Sequence, residues 1–146
     1  ARIHAWVEEA ISMGAELVCG GDLSAVPEKG SYYPPTILKG VTPDMMIYQG
    51  EIFGPVISLI EFEDDNEVLE MANDTEAGLT SYIFTENDDR IDKFSRSLDF
   101  GEVMVNKAKW GDYLPHIGIK QSGMGCVGSP RVLKEFQRMK RVTSRM

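Results

Sequence analysis

Apolar residues recur near the start of the chain at Ile3, Trp6, Val7, Ala10 and Ile11. That is the i, i+3, i+4 spacing of one helical face, so it predicts an amphipathic helix over residues 2–14, ending near Gly14. The period then changes. Glu16-Leu17-Val18-Cys19 reads as a short strand stopped by Gly20-Gly21-Asp22, and residues 22–31, with Pro27 and Gly30, as a polar loop. Tyr32-Tyr33-Pro34-Pro35-Thr36-Ile37-Leu38 is extended, because two prolines exclude helix and suit an edge or entry strand. Thr42-Pro43-Asp44 opens a turn or a single helical turn, with Met45 and Met46 as packing residues. Residues 55–62 are almost continuously apolar, which suits a strand in a sheet covered on both faces.

Asp64-Asp65-Asn66-Glu67 has the form of a capping box, so residues 65–73 are predicted as a helix burying Val68, Leu69 and Ala72. Residues 80–84 read as a strand. Thr85 is the expected cap of the next helix, whose buried stripe is Ile91, Phe94 and Leu98, and residues 101–106 form another strand. A long loop over 107–128 follows, of the kind that is usually functional or disordered. Ser129-Pro130 suits an N-cap with proline at the first helical position, predicting a helix over 130–138. Lys140-Arg141-Val142-Thr143-Ser144-Arg145-Met146 reads as a final basic strand. Strands alternating with helices of about ten residues imply an α/β layered domain with helices on both faces of its sheet.

Composition narrows the function classes. A net charge of −8, from 15 basic and 23 acidic residues, argues against nucleic-acid or anionic-membrane partners, which need a basic face. No apolar run reaches the roughly 18 residues of a membrane span. The start, Ala1-Arg2-Ile3-His4, has neither initiator Met nor signal-peptide pattern and reads as the middle of a helix. The expectation is a numbering that begins inside a longer natural chain or at a processed end. Two cysteines, Cys19 and Cys126, make no disulfide framework, so a reducing compartment, the cytoplasm, is expected.

Candidate chemistry is sparse. His4 and His116 lie far apart without matching ligand spacing, so no metal site is expected. The acidic run Glu61, Glu63, Asp64, Asp65 is better explained as a solvated helix N-terminus than as a catalytic pair. Gly123-Met124-Gly125-Cys126-Val127-Gly128 fits G-x-G-x-x-G, but no strand precedes it and no acidic residue follows at the required distance, so it is rejected as a dinucleotide loop. Cys126 lies just ahead of the predicted last helix, a setting that can lower a thiol pKa, but no histidine base is evident nearby.

Two places remain. The loop brings Lys107, Lys109, Trp110, Asp112, Tyr113 and His116, cations interleaved with aromatics that suit a small anionic or polyhydroxylated ligand, or a solvated loop packed on the body. Gln49-Gly50-Glu51-Ile52-Phe53-Gly54-Pro55-Val56 sets a carboxylate two residues from a ring. On extended backbone they share a face at the mouth of a sheet, where a carboxylate can hold a ribose diol and a ring can pack on a heterocycle. A turn glutamate beside a core phenylalanine is the other reading.

Glu51-Ile52-Phe53-Gly54-Pro55-Val56 resembles the E-x-F-G-P motif of the aldehyde dehydrogenase superfamily. Further matches follow in order. Gly14-Ala15-Glu16-Leu17-Val18-Cys19-Gly20-Gly21 resembles G-A-x-x-x-x-G-G, Pro35-Thr36-Ile37-Leu38 the family's extended strand, and Ala72-Asn73-Asp74-Thr75 with Gly78-Leu79 its A-N-x-[ST]-x-x-G-L. Gly101-Glu102-Val103-Met104-Val105-Asn106 resembles G-x-V-x-[VI]-N, and Pro115-His116-Ile117-Gly118-Ile119-Lys120-Gln121-Ser122-Gly123 resembles P-F-G-G-x-K-x-S-G. The set covers nearly all of the chain but only about the last third of a family enzyme. The resemblance implies the C-terminal part of a catalytic domain over 1–138 and an oligomerisation strand over 139–146. It puts the Rossmann domain, the nucleophilic cysteine and the general-base glutamate upstream, leaving no catalytic residue in this segment. The whole enzyme would oxidise an aldehyde to an acid with NAD or NADP, as a homo-oligomer, dimer or tetramer. Glu51 would bind the nicotinamide ribose, Phe53 would pack beside it, and Lys107, Lys109, Trp110, Tyr113 and His116 would line the aldehyde pocket.

Three positions depart from the pattern. Gly50 replaces a frequent acidic residue, His116-Ile117 replace Phe-Gly, and Cys126-Val127 replace Arg-Glu. Lys107 and Lys109 favour an aldehyde bearing a carboxylate, phosphate or several hydroxyls. Competing readings are a non-enzymatic stand-alone interaction or oligomerisation domain, and a small cysteine enzyme using Cys126.

Overall fold

A computed structural model describes residues 2–27, 29–108, 111 and 113–145. The chain divides into two compact units, residues 1–63 and 64–146, so the division falls inside the body expected over 1–138.

In the first unit, helix α1 (Arg2–Ser12) buries Val7 and Ala10, and Gly14 ends it with a φ of 109°. Strands β1 (Glu16–Cys19), β2 (Thr36–Lys39) and β3 (Val56–Leu59) form one sheet in that order. β1 runs antiparallel to β2, and β3 parallel to it. Helix α2 (Met46–Gln49) lies in the crossover between the parallel pair. The core is Val7, Ala10, Ala15, Leu38, Val41, Met45 and Ile47. Leu38 and Met45 are fully buried, each contributing about 1.5–3 kcal/mol by leaving water.

Register assigns the faces. Thr36 pairs with Val56 and Leu38 with Ser58 on the inner side. Ile37 pairs with Ile57 and Lys39 with Leu59 on the outer side, where Ile57 and Leu59 are exposed. Among the described residues β3 alternates, and Ile57 and Leu59 on its outer row are exposed. The β2 ladder begins at Thr36 rather than Tyr32, since Pro34 and Pro35 have no N–H to donate.

Among the described residues Thr36 is the one buried polar residue, and it is fully engaged. Its hydroxyl accepts from the Gly21 N–H at 2.9 Å and donates to the Pro34 carbonyl at 2.8 Å. Thr36→Val is expected to lower unfolding free energy by about 1–3 kcal/mol, because the Gly21 N–H loses its partner. A urea melt with an unshifted midpoint would contradict it.

In the second unit, helix α3 (Asp65–Asn73) is capped as expected by Asp64, which accepts from the Asn66 and Glu67 N–H groups. Those donors hold the Asp64 carboxyl below the usual aspartate value. Strands β4 (Thr80–Ile83) and β5 (Glu102–Val105) are parallel, with helix α4 (Asp88–Ser97) between them in sequence. Leu69, Ile83 and Leu98 are the buried centre, with Phe94, Phe100 and Val103 against them. The cap of α4 is Asn87, which accepts from the Arg90 N–H, not Thr85. Thr85 instead accepts from the Asn87 N–H, shaping the turn one step earlier.

The stretch expected as a loop over 107–128 contains a hairpin of β6 (His116–Ile117) and β7 (Cys126–Val127). The last helix, α5 (Val132–Glu135), is shorter than 130–138. The Ser129 hydroxyl accepts from the Arg131 N–H, so the chain does turn at the expected place. Residues 139–145 have no ladder partner, and Met146 lies outside the described residues.

The motif residues of this unit meet each other. The Gly78 N–H donates to the Ser122 hydroxyl at 2.9 Å, and its carbonyl accepts from Gly101 and Ile119. Asn73 bonds the Ser97 carbonyl and the Asp99 N–H. Lys120 donates to the Thr75 carbonyl at 3.2 Å and pairs with Asp99 at the same distance. These contacts give the Ala72–Leu79 and Pro115–Gly123 motifs a structural role: they tie the end of α3, the start of β5 and the hairpin into one joint.

Candidate functional site

The segment from Gly50 to Pro55 runs between α2 and the start of β3. At its far end the Pro55 carbonyl accepts from the Thr36 N–H at 2.9 Å, and Gly54 closes a tight turn through the Val56 N–H. Both side chains of interest face solvent. Glu51 is exposed, and among the described residues its carboxylate accepts no hydrogen bond; Phe53 is 79% exposed. The backbone is not the regular extended chain expected, because Phe53 has a left-handed φ of 48°. Such a conformation is disfavoured for an aromatic residue and persists only where its surroundings impose it. Simple alternation therefore does not place Glu51 and Phe53 on a common face.

The segment also sits at the amino-terminal ends of β2 and β3, since it precedes β3 directly in the chain. The crevice at strand carboxyl ends, where open α/β sheets bind ligands, is the opposite edge.

Helix α1 supports this segment. Arg2 Nη2 donates to the Ile52 carbonyl at 2.6 Å and Nη1 to the Glu51 carbonyl at 3.3 Å. Neither Arg2 nor this contact was expected from the sequence. The signal was present in the spacing of Arg2, Trp6 and Glu9, at i, i+4 and i+7 on one helix.

In the second unit, Asn106 prepares the loop that follows β5. Its φ is 50°, and its side chain accepts from the Thr85 N–H and donates to the Thr85 carbonyl, at 2.9 and 2.8 Å. Lys107 is exposed and lines a shallow cavity of about 330 Å³ with Met104, Leu114 and Pro115. Tyr113 is exposed, and Lys109 and Trp110 lie outside the described residues. His116 does not point freely into that cavity. Its Nδ1 lies 2.9 Å from Glu102 Oε2, which also accepts from the Thr80 hydroxyl at 3.0 Å. His116 borders a second open cavity of about 590 Å³, lined by Leu79, Cys126, Val132 and Phe136 among others. Of the candidate pocket residues, Lys107 lines one depression and His116 the other.

Cys126 sits in β7, separated by several residues from the four-residue α5, so it does not stand at a helix N-terminus. The G-x-G-x-x-G segment is itself part of the hairpin. No group of three His, Cys, Asp or Glu among the described residues could hold a metal ion, and no helix of the described residues is long and apolar enough to cross a membrane.

Comparison with known proteins matches nearly the whole chain. The model of the aldehyde dehydrogenase family matches residues 1–142. A non-phosphorylating aspartate-semialdehyde dehydrogenase of Halomonas elongata is 42% identical over 136 residues, covering 92% of this chain and 27% of that protein. The crystal structure of lactaldehyde dehydrogenase from Escherichia coli superposes with a TM-score of 0.85 at 38% identity, over 92% of this chain and 28% of that one. An NADP-dependent enzyme of Escherichia coli does so with a TM-score of 0.86 at 32% identity, with the same coverage. The chain spans about a quarter of the length of the relatives it matches.

Proposed function

The chain belongs to the aldehyde dehydrogenase family, and from that premise we propose that it is the C-terminal portion of an NAD- or NADP-dependent enzyme oxidising an aldehyde to a carboxylic acid. The observation that carries this is the presentation of Glu51 and Phe53, a carboxylate that among the described residues accepts no hydrogen bond and a bare ring on a constrained turn. They fit a nucleotide: the carboxylate accepts hydrogen bonds from the nicotinamide ribose hydroxyls, and the ring packs beside the sugar. The dinucleotide, when bound, supplies the oxidant. The nucleophile and the general base come from the rest of the longer enzyme, so these 146 residues alone are inactive.

Lys107, Lys109, Trp110, Tyr113 and His116 line the aldehyde pocket in this reading. Lys107 is free to meet an anionic or hydroxylated substrate, whereas His116, held by Glu102, serves as wall rather than anchor. The strand over 139–146 pairs with another subunit of a homo-oligomer, dimer or tetramer, which suits the exposed Met139 and Val142. Cys19 and Cys126 are unpaired, in keeping with a cytoplasmic setting.

The test sets the longer reading frame beside the 146-residue chain, with NAD and NADP and a panel of carboxylated, phosphorylated and hydroxylated aldehydes. Turnover by the longer protein only is expected. A longer frame that lacks a nucleotide-binding βαβ unit, or reduces neither cofactor while the short chain self-associates in sedimentation, favours the stand-alone interaction domain. The bare apolar row of β3 would then be its docking face.

A further inference from the structure

We infer that Arg2, seated on Trp6, is a positioning residue for the cofactor contact: it holds the backbone on which Glu51 and Phe53 are mounted. The inference rests on the reading of those two residues as the dinucleotide contact.

Residues 51–53 belong to no helix or strand, so no ladder partner holds their carbonyls. The Arg2 guanidinium reaches two successive carbonyls, those of Glu51 and Ile52, with its two terminal nitrogens. A rigid fork on adjacent carbonyls sets the orientation of the peptide between them, which a single ammonium could not do. The fork is itself held, because its Cζ lies 4.7 Å from the centroid of the Trp6 ring.

The indole is wedged in turn. A Cβ on Gly50 would lie 2.8 Å from the ring tip of Trp6, so only glycine lets the indole sit there. The absence of the family's frequent acidic residue at position 50 is thereby explained: Trp6 occupies its place. Ile3 fills the same role under Gly54, where a Cβ would meet its Cδ1 at 2.5 Å. Farther along the face, the Glu9 carboxylate accepts a long hydrogen bond from the Met46 N–H at 3.3 Å. Arg2, Trp6 and Glu9 thus touch three successive points of the 46–52 segment from one side of α1. Phe53 packs too little of its ring to hold a left-handed backbone by itself. The clamp on the two preceding carbonyls supplies the constraint.

Arg2→Met keeps an apolar stem over Trp6 and removes both donors. In the longer enzyme it is expected to weaken NAD(P) binding about tenfold by calorimetric titration, the scale of one charge-assisted hydrogen bond. Amide exchange at residues 52–54 speeds up, while the aldehyde KM and the melting midpoint stay near wild type. Arg2→Lys remains impaired, and in the double variant with Glu51→Gln the two effects are less than additive, because both act on one contact. Wild-type dinucleotide binding by Arg2→Met beside a weakened Glu51→Gln overturns the clamp and leaves the cofactor reading intact. A general fall in melting point with the aldehyde KM raised in parallel reduces Arg2 to a structural role. Wild-type binding by Glu51→Gln itself removes the cofactor reading and this inference with it.

Discussion

On the proposed reading of Glu51 as a dinucleotide contact in a longer enzyme, Glu51→Gln is expected to lower kcat/KM for the dinucleotide by about ten- to a hundredfold. The size follows from the charge. A hydrogen bond to an ionised acceptor is worth about 1.5–3 kcal/mol, and each 1.4 kcal/mol is a factor of ten. A carboxylate can accept from both ribose hydroxyls, whereas an amide offers one acceptor and turns a donor toward the other. Stability should be untouched, within about 0.5 kcal/mol, because the Glu51 side chain has no partner to lose and is exposed in the chain. Steady-state kinetics with the cofactor varied, paired with a thermal melt, separates the two effects. Wild-type kcat and cofactor KM would remove Glu51 from the site, and a large drop in melting temperature would mean that it supports the fold instead.

The second large effect is on stability. Gly101→Ala should destabilise the protein by about 3 kcal/mol or more, at the upper end of what forced overlap in a packed region costs. An added Cβ at Gly101 would run into the backbone carbonyl of Ile117, which leaves no flexible side chain to swing away. The Gly101 N–H is bonded to the Gly78 carbonyl at 3.0 Å, and Gly78 also receives the Ile119 N–H at 3.1 Å, so neither backbone can retreat without breaking the joint. With a total stability of about 5–15 kcal/mol for an ordinary domain, the variant is expected to be insoluble or to melt far below the parent. A denaturant midpoint within experimental error of wild type would show that the hairpin can move off β5 freely. In the longer enzyme, a soluble Gly101→Ala with displaced β6 should also lose aldehyde specificity, since residues 107–116 end in that hairpin.

These two positions differ in how far the sequence revealed them. Glu51 is visible as a residue type at a motif spacing, and its exposure follows from the Gly-Pro turn beside it. Gly101 is visible as a motif glycine, but the motif does not say what a side chain would strike. The same division runs through the fold. Asp64 was readable as a cap, because a carboxylate and the N–H groups it accepts from lie within three residues of each other. Asn87 was missed in favour of Thr85, as both residues can cap and the choice depended on where the chain leaves β4. The terminal strand was drawn from alternation and from the family resemblance, and neither says whether a pairing edge is present in the same chain.

His116 shows the limit most plainly. As a sequence feature it was an aromatic ring in a ligand-like loop. In three dimensions its Nδ1 lies 2.9 Å from the Glu102 carboxylate, 14 residues earlier in the chain, which also accepts from the Thr80 hydroxyl. Arg2 is the converse case, an exposed residue at the head of a helix that attracted no attention, yet reaches carbonyls 49 and 50 residues on.

By itself the amino-acid sequence determined what short-range physics controls: the helical face of α1, the capped start of α3, the proline-delayed entry to β2, and the ordered motifs that mark the family. Those depend on neighbours within a few residues, where spacing and side-chain type are sufficient. Only the tertiary structure decided which face of β3 is bare, which residue caps α4, how His116 is spent, and what holds Glu51 and Phe53 in their exposed pose. Each of those is a contact across tens of residues, and no local rule states which distant backbone will arrive. The Glu51–Phe53 segment belongs to both classes. Its residue types are written in the chain, while its left-handed backbone is imposed from across the fold, by α1.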